Sequence, residues 1–308
     1  MTLLYKSEPV RGAEWQTIFA KKMPEVPFRI WPDVGDPNEV RYLICWVPPD
    51  DLLTTFPNLE WVMSSGAGVD QFDLGVVPPQ IPLLRMIEPG IVDTMVEYVS
   101  MAVLTLHRDG LTSRQQQREQ VWKGHRLYPA SYRRVGVLGL GRLGEAVCRK
   151  LSGFGFQTAG WSRARREIEG VTTYAGADQM PDFLARTDIL VCLLPLTDET
   201  RGILNADLFA QLPKGAKLVN TGRGPHLDQE ALLAALDSGQ ISGAVLDVTD
   251  PEPLPAEHPL WTHPAVMITP HIASMTQPET ACDAVIENLR RHKAGEPMIG
   301  VVDRSKGY

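Results

Sequence analysis

Residues 135–163, V-G-V-L-G-L-G-R-L-G-E-A-V-C-R-K-L-S-G-F-G-F-Q-T-A-G-W-S-R, decide the fold. They join a short apolar strand, a three-glycine turn, a helix and a second strand ending in basic residues, the pattern of a dinucleotide-binding βαβ unit. Gly139 permits the tight strand-to-helix turn, Gly141 lets the backbone approach a pyrophosphate, and Gly144 lets the helix pack closely on its strand. Exposed amides at the start of that helix attract negative charge. Arg142 and Leu143, within the same turn, are further candidate cofactor contacts.

The tip of the second strand bears on which dinucleotide is bound. NAD sites place Asp or Glu there to hold the adenosine ribose, whereas NADP sites place arginine near the 2′-phosphate. Here Trp161, Ser162, Arg163, Ala164, Arg165 and Arg166 precede the first acid, Glu167. The expected cofactor is NADP(H), with NAD(H) possible, and Trp161, Ser162, Arg163 and Arg165 are its candidate contacts. The competing reading is a solvated basic loop.

Around this unit, 308 residues exceed the usual size of one hydrophobic core, so two domains are expected. An apolar content of 44% with 22% charged residues belongs to a soluble globular protein. A formal net charge of -7 argues against a general nucleic-acid surface. No stretch reads as long and apolar enough to cross a bilayer. Lys6, Glu8, Arg11 and Glu14 interrupt any N-terminal apolar signal core, so the expected location is cytoplasmic. Cys45, Cys148, Cys192 and Cys282 lie far apart without a C-x-x-C pair. They read as buried reduced thiols, and no metal site is expected.

Outward from the opening stretch, the first part alternates strands at 3–5, 28–31, 42–47 and 59–63 with a helix at 14–22, as in a small doubly wound domain. Residues 92–119 turn helical, with Gly110 marking a break. Strands then recur at 157–161, 189–194, 216–220, 244–248 and 266–269, between helices at 145–151, 207–212 and 228–237. This alternation implies a parallel sheet with right-handed crossovers, followed by a final helix at 278–293 and a polar tail.

Ligands in such sheets bind beyond the carboxyl ends of the strands. Arg223 in N-T-G-R-G, Glu252 in D-V-T-D-P-E-P-L-P and His271 in T-P-H-I-A-S each follow a predicted strand, so all three belong on one rim. Any one alone reads as a surface or structural residue; their shared position makes them the candidate catalytic set.

The chain resembles the D-isomer-specific 2-hydroxyacid dehydrogenase family. The resemblance is carried by S-G-A-G-V-D at 65–70, G-L-G-R-L-G at 139–144, W-S-R-A-R at 161–165, N-T-G-R-G at 220–224, D-V-T-D-P-E-P-L-P at 247–255, T-P-H-I-A at 269–273 and the tail V-D-R-S-K-G-Y. It implies an α/β fold of two doubly wound parallel-sheet domains: a Rossmann-type NADP(H)-binding domain, residues 96–279, inserted in a flavodoxin-like substrate domain, residues 1–95 and 280–308, with the active site in the cleft between them. The implied activity is NADPH-dependent reduction of small 2-oxoacids, glyoxylate to glycolate and hydroxypyruvate to D-glycerate. In it, His271 gives the proton, Glu252 stands beside His271, and Arg223 holds the substrate carboxylate and carbonyl oxygen. Ala67, Gly68 and Val69 resemble the family's carboxylate cradle, and Trp46 and Met95 are placed as pocket walls. Leu194, Pro195 and Thr197 resemble the loop along the nicotinamide, while Thr221 and Asp247 complete the candidate cofactor contacts. Residues 115–128, with Trp122, resemble the arm through which family members form homodimers. Two alternatives stay open at this point. One is an NAD-dependent enzyme acting on a larger 2-hydroxyacid, and the other is a dinucleotide-sensing binding protein of the same fold.

Overall fold

The computed structural model describes residues 1–73 and 75–304. The last four residues of the tail motif therefore lie outside the described residues. By contact density the chain divides into two compact units, one formed by Met1–Ile91 with the chain from Met275 onward and the other by Val92–Ser274. The observed joins follow Ile91 and Ser274, where 95 and 279 were expected.

The smaller unit starts with β1 (Thr2–Lys6), α1 (Pro9–Lys22), β2 (Phe28–Ile30), β3 (Val40–Cys45), α2 (Leu52–Thr55), β4 (Trp61–Ser64) and β5 (Leu83–Leu84). The strands form a parallel sheet in the order β2-β1-β3-β4-β5, the flavodoxin-like arrangement. α1 begins five residues before its predicted start, because Glu8 caps it by accepting from the Val10 and Arg11 amides and Pro9 fits the first turn. Leu4, Leu43, Cys45 and Val62 pack into one buried cluster with Phe56 and Phe72. Trp15 and Phe19 of α1 are also fully buried, with Trp15 against Tyr5 and Phe19 against Phe28.

The larger unit receives α3 (Pro89–His107) and then holds α4 (Gly110–Arg118), β6 (Arg134–Leu138), α5 (Arg142–Gly153), β7 (Gln157–Ser162), β8 (Thr172–Ala175), α6 (Met180–Ala185), β9 (Ile189–Cys192), α7 (Ala206–Gln211), β10 (Ala216–Asn220), α8 (Gln229–Asp237), β11 (Ile241–Leu246) and β12 (Val266–Ile268). α9 (Pro278–Ala294) completes the smaller unit beside α1. The seven strands pair in parallel as β12-β11-β10-β9-β6-β7-β8, so the order reverses between β6 and β9. That switch point is where a doubly wound sheet leaves room for a ligand. Successive side chains serve opposite faces: Leu190 and Cys192 join the core that contains α7 and α8 residues, and Ile189 and Val191 join the one that contains α3 and α5 residues.

α3 corrects one expectation. Its 19 residues are long and apolar enough to cross a bilayer by length and composition. Tyr98, Val99, Ala102, Val103 and Leu106 are buried in the core of the larger unit, which accounts for the apolar run. Met95, expected at a pocket wall, is 5% exposed in the same core. All four cysteines are free and buried, and burial pushes each thiol up to about 12.

Gly144 shows how tightly α5 sits on its strand, since a Cβ there would lie 1.8 Å from the Gly139 carbonyl oxygen. Backbone cannot yield as a side chain can, so Gly144→Ala should cost about 3 kcal/mol or more of stability, read by chemical denaturation. An unchanged midpoint would contradict this packing.

Candidate active site

The chemistry-bearing residues of the larger unit emerge at the carboxyl ends of its strands. After β6, Gly139 takes φ +100°, and a Cβ there would meet the Leu193 carbonyl at 2.8 Å, so the glycine turn lies against the loop that follows β9. Gly141 precedes α5 without a side-chain cap, and the space where its Cβ would stand is open for 4 Å. Uncapped amides beside open space suit a pyrophosphate. Arg142 is exposed and Leu143 half-buried.

At the end of β7, Trp161 donates from Nε1 to the Gly176 carbonyl at 2.8 Å, and Ser162 Oγ donates to the Ala164 carbonyl at 2.7 Å. Arg163 pairs with Glu199 at 3.3 Å and Arg165 with Glu167 at 3.5 Å, all four side chains being well exposed. Exposed pairs of this kind hold little energy and yield readily to a stronger anion. The residues present therefore fit a dinucleotide carrying a 2′-phosphate.

The three candidate catalytic residues lie in this one unit. His271 Nδ1 stands 2.9 Å from Glu252 Oε2. Facing a carboxylate, Nδ1 carries the hydrogen and donates, which turns Nε2 away from Glu252. Burial works against the charged Glu252, but the hydrogen bond and charge of His271 outweigh it, helped by the Thr249 amide and the charge of Arg223. The carboxyl is consequently held below its ordinary range. Glycine brings the loops together: a Cβ on Gly224 would fall 1.8 Å from the Thr249 carbonyl oxygen, so the Arg223 loop presses directly on the Glu252 loop. The strands preceding Glu252 and His271 end at Leu246 and Ile268, slightly earlier than predicted.

His271 adopts φ +53°, a left-handed conformation that costs a non-glycine residue energy unless its surroundings enforce it. Asp247 provides the enforcement. Its carboxylate, 2% exposed, accepts from the Ile272 amide at 2.9 Å and the Ala273 amide at 2.8 Å, while its carbonyl accepts from the His271 amide at 2.8 Å. Thr269 Oγ1 donates to Asp247 Oδ1 at 2.6 Å and lies 2.5 Å from the Tyr98 hydroxyl. Asp247, expected among cofactor contacts, thus has a structural task in holding the His271 turn. Thr221 is buried, with Oγ1 donating to the Cys192 carbonyl at 3.2 Å, and Leu194 is 8% exposed. Pro195 and Thr197 belong to a turn tied by Thr200, whose Oγ1 donates to the Pro195 carbonyl at 2.7 Å and accepts from the Thr197 amide at 2.9 Å.

In the smaller unit, Ala67 and Gly68 are half-buried and Val69 is buried in the turn after β4. Ser64 Oγ donates to the Gly68 carbonyl at 2.7 Å and accepts from the Gly66 amide at 3.2 Å, so a buried hydroxyl shapes the turn. Trp46, 40% exposed, lays its ring 3.0 Å from where a Gly66 Cβ would be.

Residues 100–273 match the family model described as D-isomer specific 2-hydroxyacid dehydrogenase, NAD binding domain. The chain belongs to the D-isomer specific 2-hydroxyacid dehydrogenase family. It is an NAD(P)-dependent oxidoreductase acting on CH–OH groups. Glyoxylate/hydroxypyruvate reductase A of Yersinia enterocolitica serotype O:8 / biotype 1B is 38% identical over 314 aligned positions, covering 100% of both chains. The protein of that name from Photorhabdus laumondii is 40% identical over 303 positions, 96% of each. Among solved structures, a family member from Xanthobacter autotrophicus Py2 in complex with NADPH and MES superposes with TM-score 0.94 at 42% identity, covering 100% of this chain and 99% of that one. An NADPH-dependent glyoxylate/hydroxypyruvate reductase from Sinorhizobium meliloti, with NADP and sulfate, superposes with TM-score 0.91 at 34% identity over 100% and 99%.

Sequence reasoning missed Asn220, Tyr98 and His226. His226 is 0% exposed three positions after Arg223, and a lone histidine in a loop between apolar runs was the only signal.

Because the folded Glu252 carboxyl sits below its unfolded value, its contribution to stability is present above the ordinary carboxylate range and is lost as pH falls through the folded value. The melting-temperature gap between wild type and Glu252→Gln should close on acidification below about pH 4.5. A gap that stays unchanged from about pH 5 down to about pH 3 would contradict the lowered carboxyl.

Proposed function

We propose that this family member reduces small 2-oxoacids with NADPH preferred over NADH, taking glyoxylate to glycolate and hydroxypyruvate to D-glycerate. The carrying observation is the His271–Glu252 pair at 2.9 Å in the unit that also holds Arg223 and the dinucleotide turn. The names of the Yersinia and Sinorhizobium proteins support the substrate class, and the NADPH of the Xanthobacter complex supports the cofactor.

Bound NADPH supplies the hydride that reaches the C2 carbon of the oxoacid. The carbonyl oxygen gains electron density and must receive a proton, which His271 delivers from Nε2 while Glu252 holds Nδ1–H and orients the ring. Arg223 holds the substrate carboxylate and polarises the carbonyl oxygen, work that suits a planar guanidinium better than an ammonium. Gly139, Gly141, Arg142, Leu143 and Gly144 hold the pyrophosphate region. Trp161, Ser162, Arg163 and Arg165 face the adenosine 2′-phosphate, Leu194 and Pro195 the nicotinamide end, and Thr221 completes the cofactor contacts. In the smaller unit, Trp46 and the amides of Ala67, Gly68 and Val69 take part in holding the substrate. A cytoplasmic homodimer completes this reading: residues 115–128 carry Trp122, 102% exposed, an uncommon position for a tryptophan unless a partner covers it.

The test is NADPH and NADH oxidation measured against glyoxylate, hydroxypyruvate, pyruvate and phenylpyruvate. His271→Ala should lower kcat by about 10²- to 10⁴-fold, the worth of positioned proton transfer. Near-normal turnover would remove His271 from its role. Arg163→Ala or Arg165→Ala should raise the Kd of NADPH more than that of NADH, because only NADPH bears the extra phosphate. Equal effects would reassign these arginines to structure.

A further inference from the structure

The peptide of Arg223 is held on both sides by buried side chains. Its amide donates to His226 Nδ1 at 2.9 Å, and its carbonyl accepts from Asn220 Nδ2 at 3.2 Å. Asn220 and His226 are each 0% exposed. Asn220 Oδ1 also accepts from the Gly222 amide at 3.2 Å, so the segment carrying Arg223 is fixed by side chains beyond the end of the β10 ladder.

The imidazole has a second attachment. His226 Nε2 lies 3.2 Å from the Pro195 carbonyl oxygen, in the turn after β9. A backbone amide can only donate and a carbonyl can only accept. Nδ1 must therefore be unprotonated and Nε2 must carry the hydrogen, which fixes both the tautomer and the neutral state of the ring. The seat is close-fitting: a Cβ on Gly222 would stand 2.8 Å from His226 Nδ1 and 3.3 Å from the Leu194 carbonyl oxygen. Gly222 thus admits the ring as well as clearing space beside Arg223.

We propose that His226 is a positioning residue for the reduction, its Nδ1 fixing the Arg223 peptide so that the guanidinium is aimed at the oxoacid. This inference rests on the substrate role given above to Arg223. The Pro195 bond anchors the ring, but the Pro195 carbonyl is also held by Thr200 Oγ1 at 2.7 Å, so that turn stays tied without the imidazole. Loss of the ring therefore acts on Arg223 more than on the dinucleotide. Asparagine can place an acceptor near the position of Nδ1 without reaching Pro195, whereas leucine offers none.

The experiment has two arms on the full-length protein. In the first, long-range ¹H–¹⁵N NMR of histidine-labelled protein at about pH 7, with His226 assigned by its disappearance in His226→Asn, should report the neutral Nε2–H tautomer. An Nδ1–H tautomer or an imidazolium would overturn the seat. In the second, His226→Leu should lower kcat/KM for glyoxylate about tenfold or more, the equivalent of one lost hydrogen bond, with the NADPH Kd changed about threefold at most. His226→Asn should recover most of that loss. Wild-type kinetics in both variants, or equal losses of kcat/KM and NADPH affinity in both, would overturn the positioning role. Should His226→Leu fail to fold, a His226→Asn protein with kcat/KM near wild type supports the role, and one as inactive as Arg223→Ala overturns it. A wild type that reduces no 2-oxoacid would overturn the functional reading and the positioning role with it; an active wild type with unaffected variants overturns the positioning role alone.

Discussion

The 2.9 Å contact between the His271 imidazole and the Glu252 carboxylate is the interaction around which the proposed chemistry is built. It joins two loops from neighbouring strands, β11 and β12, and so exists only because those strands lie side by side in register. Neither loop holds itself. Gly224 lets the Glu252 loop be pressed by its neighbour, and Asp247 spends a buried carboxylate on the amides that follow His271. A left-handed histidine is the cost of aiming the ring, and a buried acid with both oxygens bonded offsets it.

The same device recurs along the rim. Side chains at strand ends, Asn220 and His226 around Arg223 and Asp247 around His271, replace the sheet hydrogen bonds that stop where the chemistry starts. Glycines set the spacing where one loop must meet another, as Gly139 does against Leu193 and Gly222 against Leu194. Rigidity at a strand end is what a reaction needs when two groups must both reach one carbonyl oxygen.

Much of this was legible from residue order alone. The glycine turn announces itself because only glycine tolerates φ +100° at 139 and a carbonyl 1.8 Å from the Cβ position at 144. Arg223, Glu252 and His271 were legible because each follows an apolar run, and parallel strands deliver their carboxyl ends to one side. β8 was not legible: its half-exposed residues, T-T-Y-A, lack a buried strand's apolar run. β5 is two residues long. Asp247 read as a ligand contact and His226 as nothing in particular, because both are defined by partners that only the tertiary fold brings near. Tyr98 meets Thr269 from 171 positions away, a pairing no local pattern encodes.

A crystal structure with NADPH and oxamate, an unreactive 2-oxoacid mimic, tests the central claim most directly. The account predicts His271 Nε2 and the Arg223 guanidinium both within about 3 Å of the mimic's carbonyl oxygen, with His271 still bonded to Glu252. Oxamate bound with either group turned away from that oxygen would contradict it.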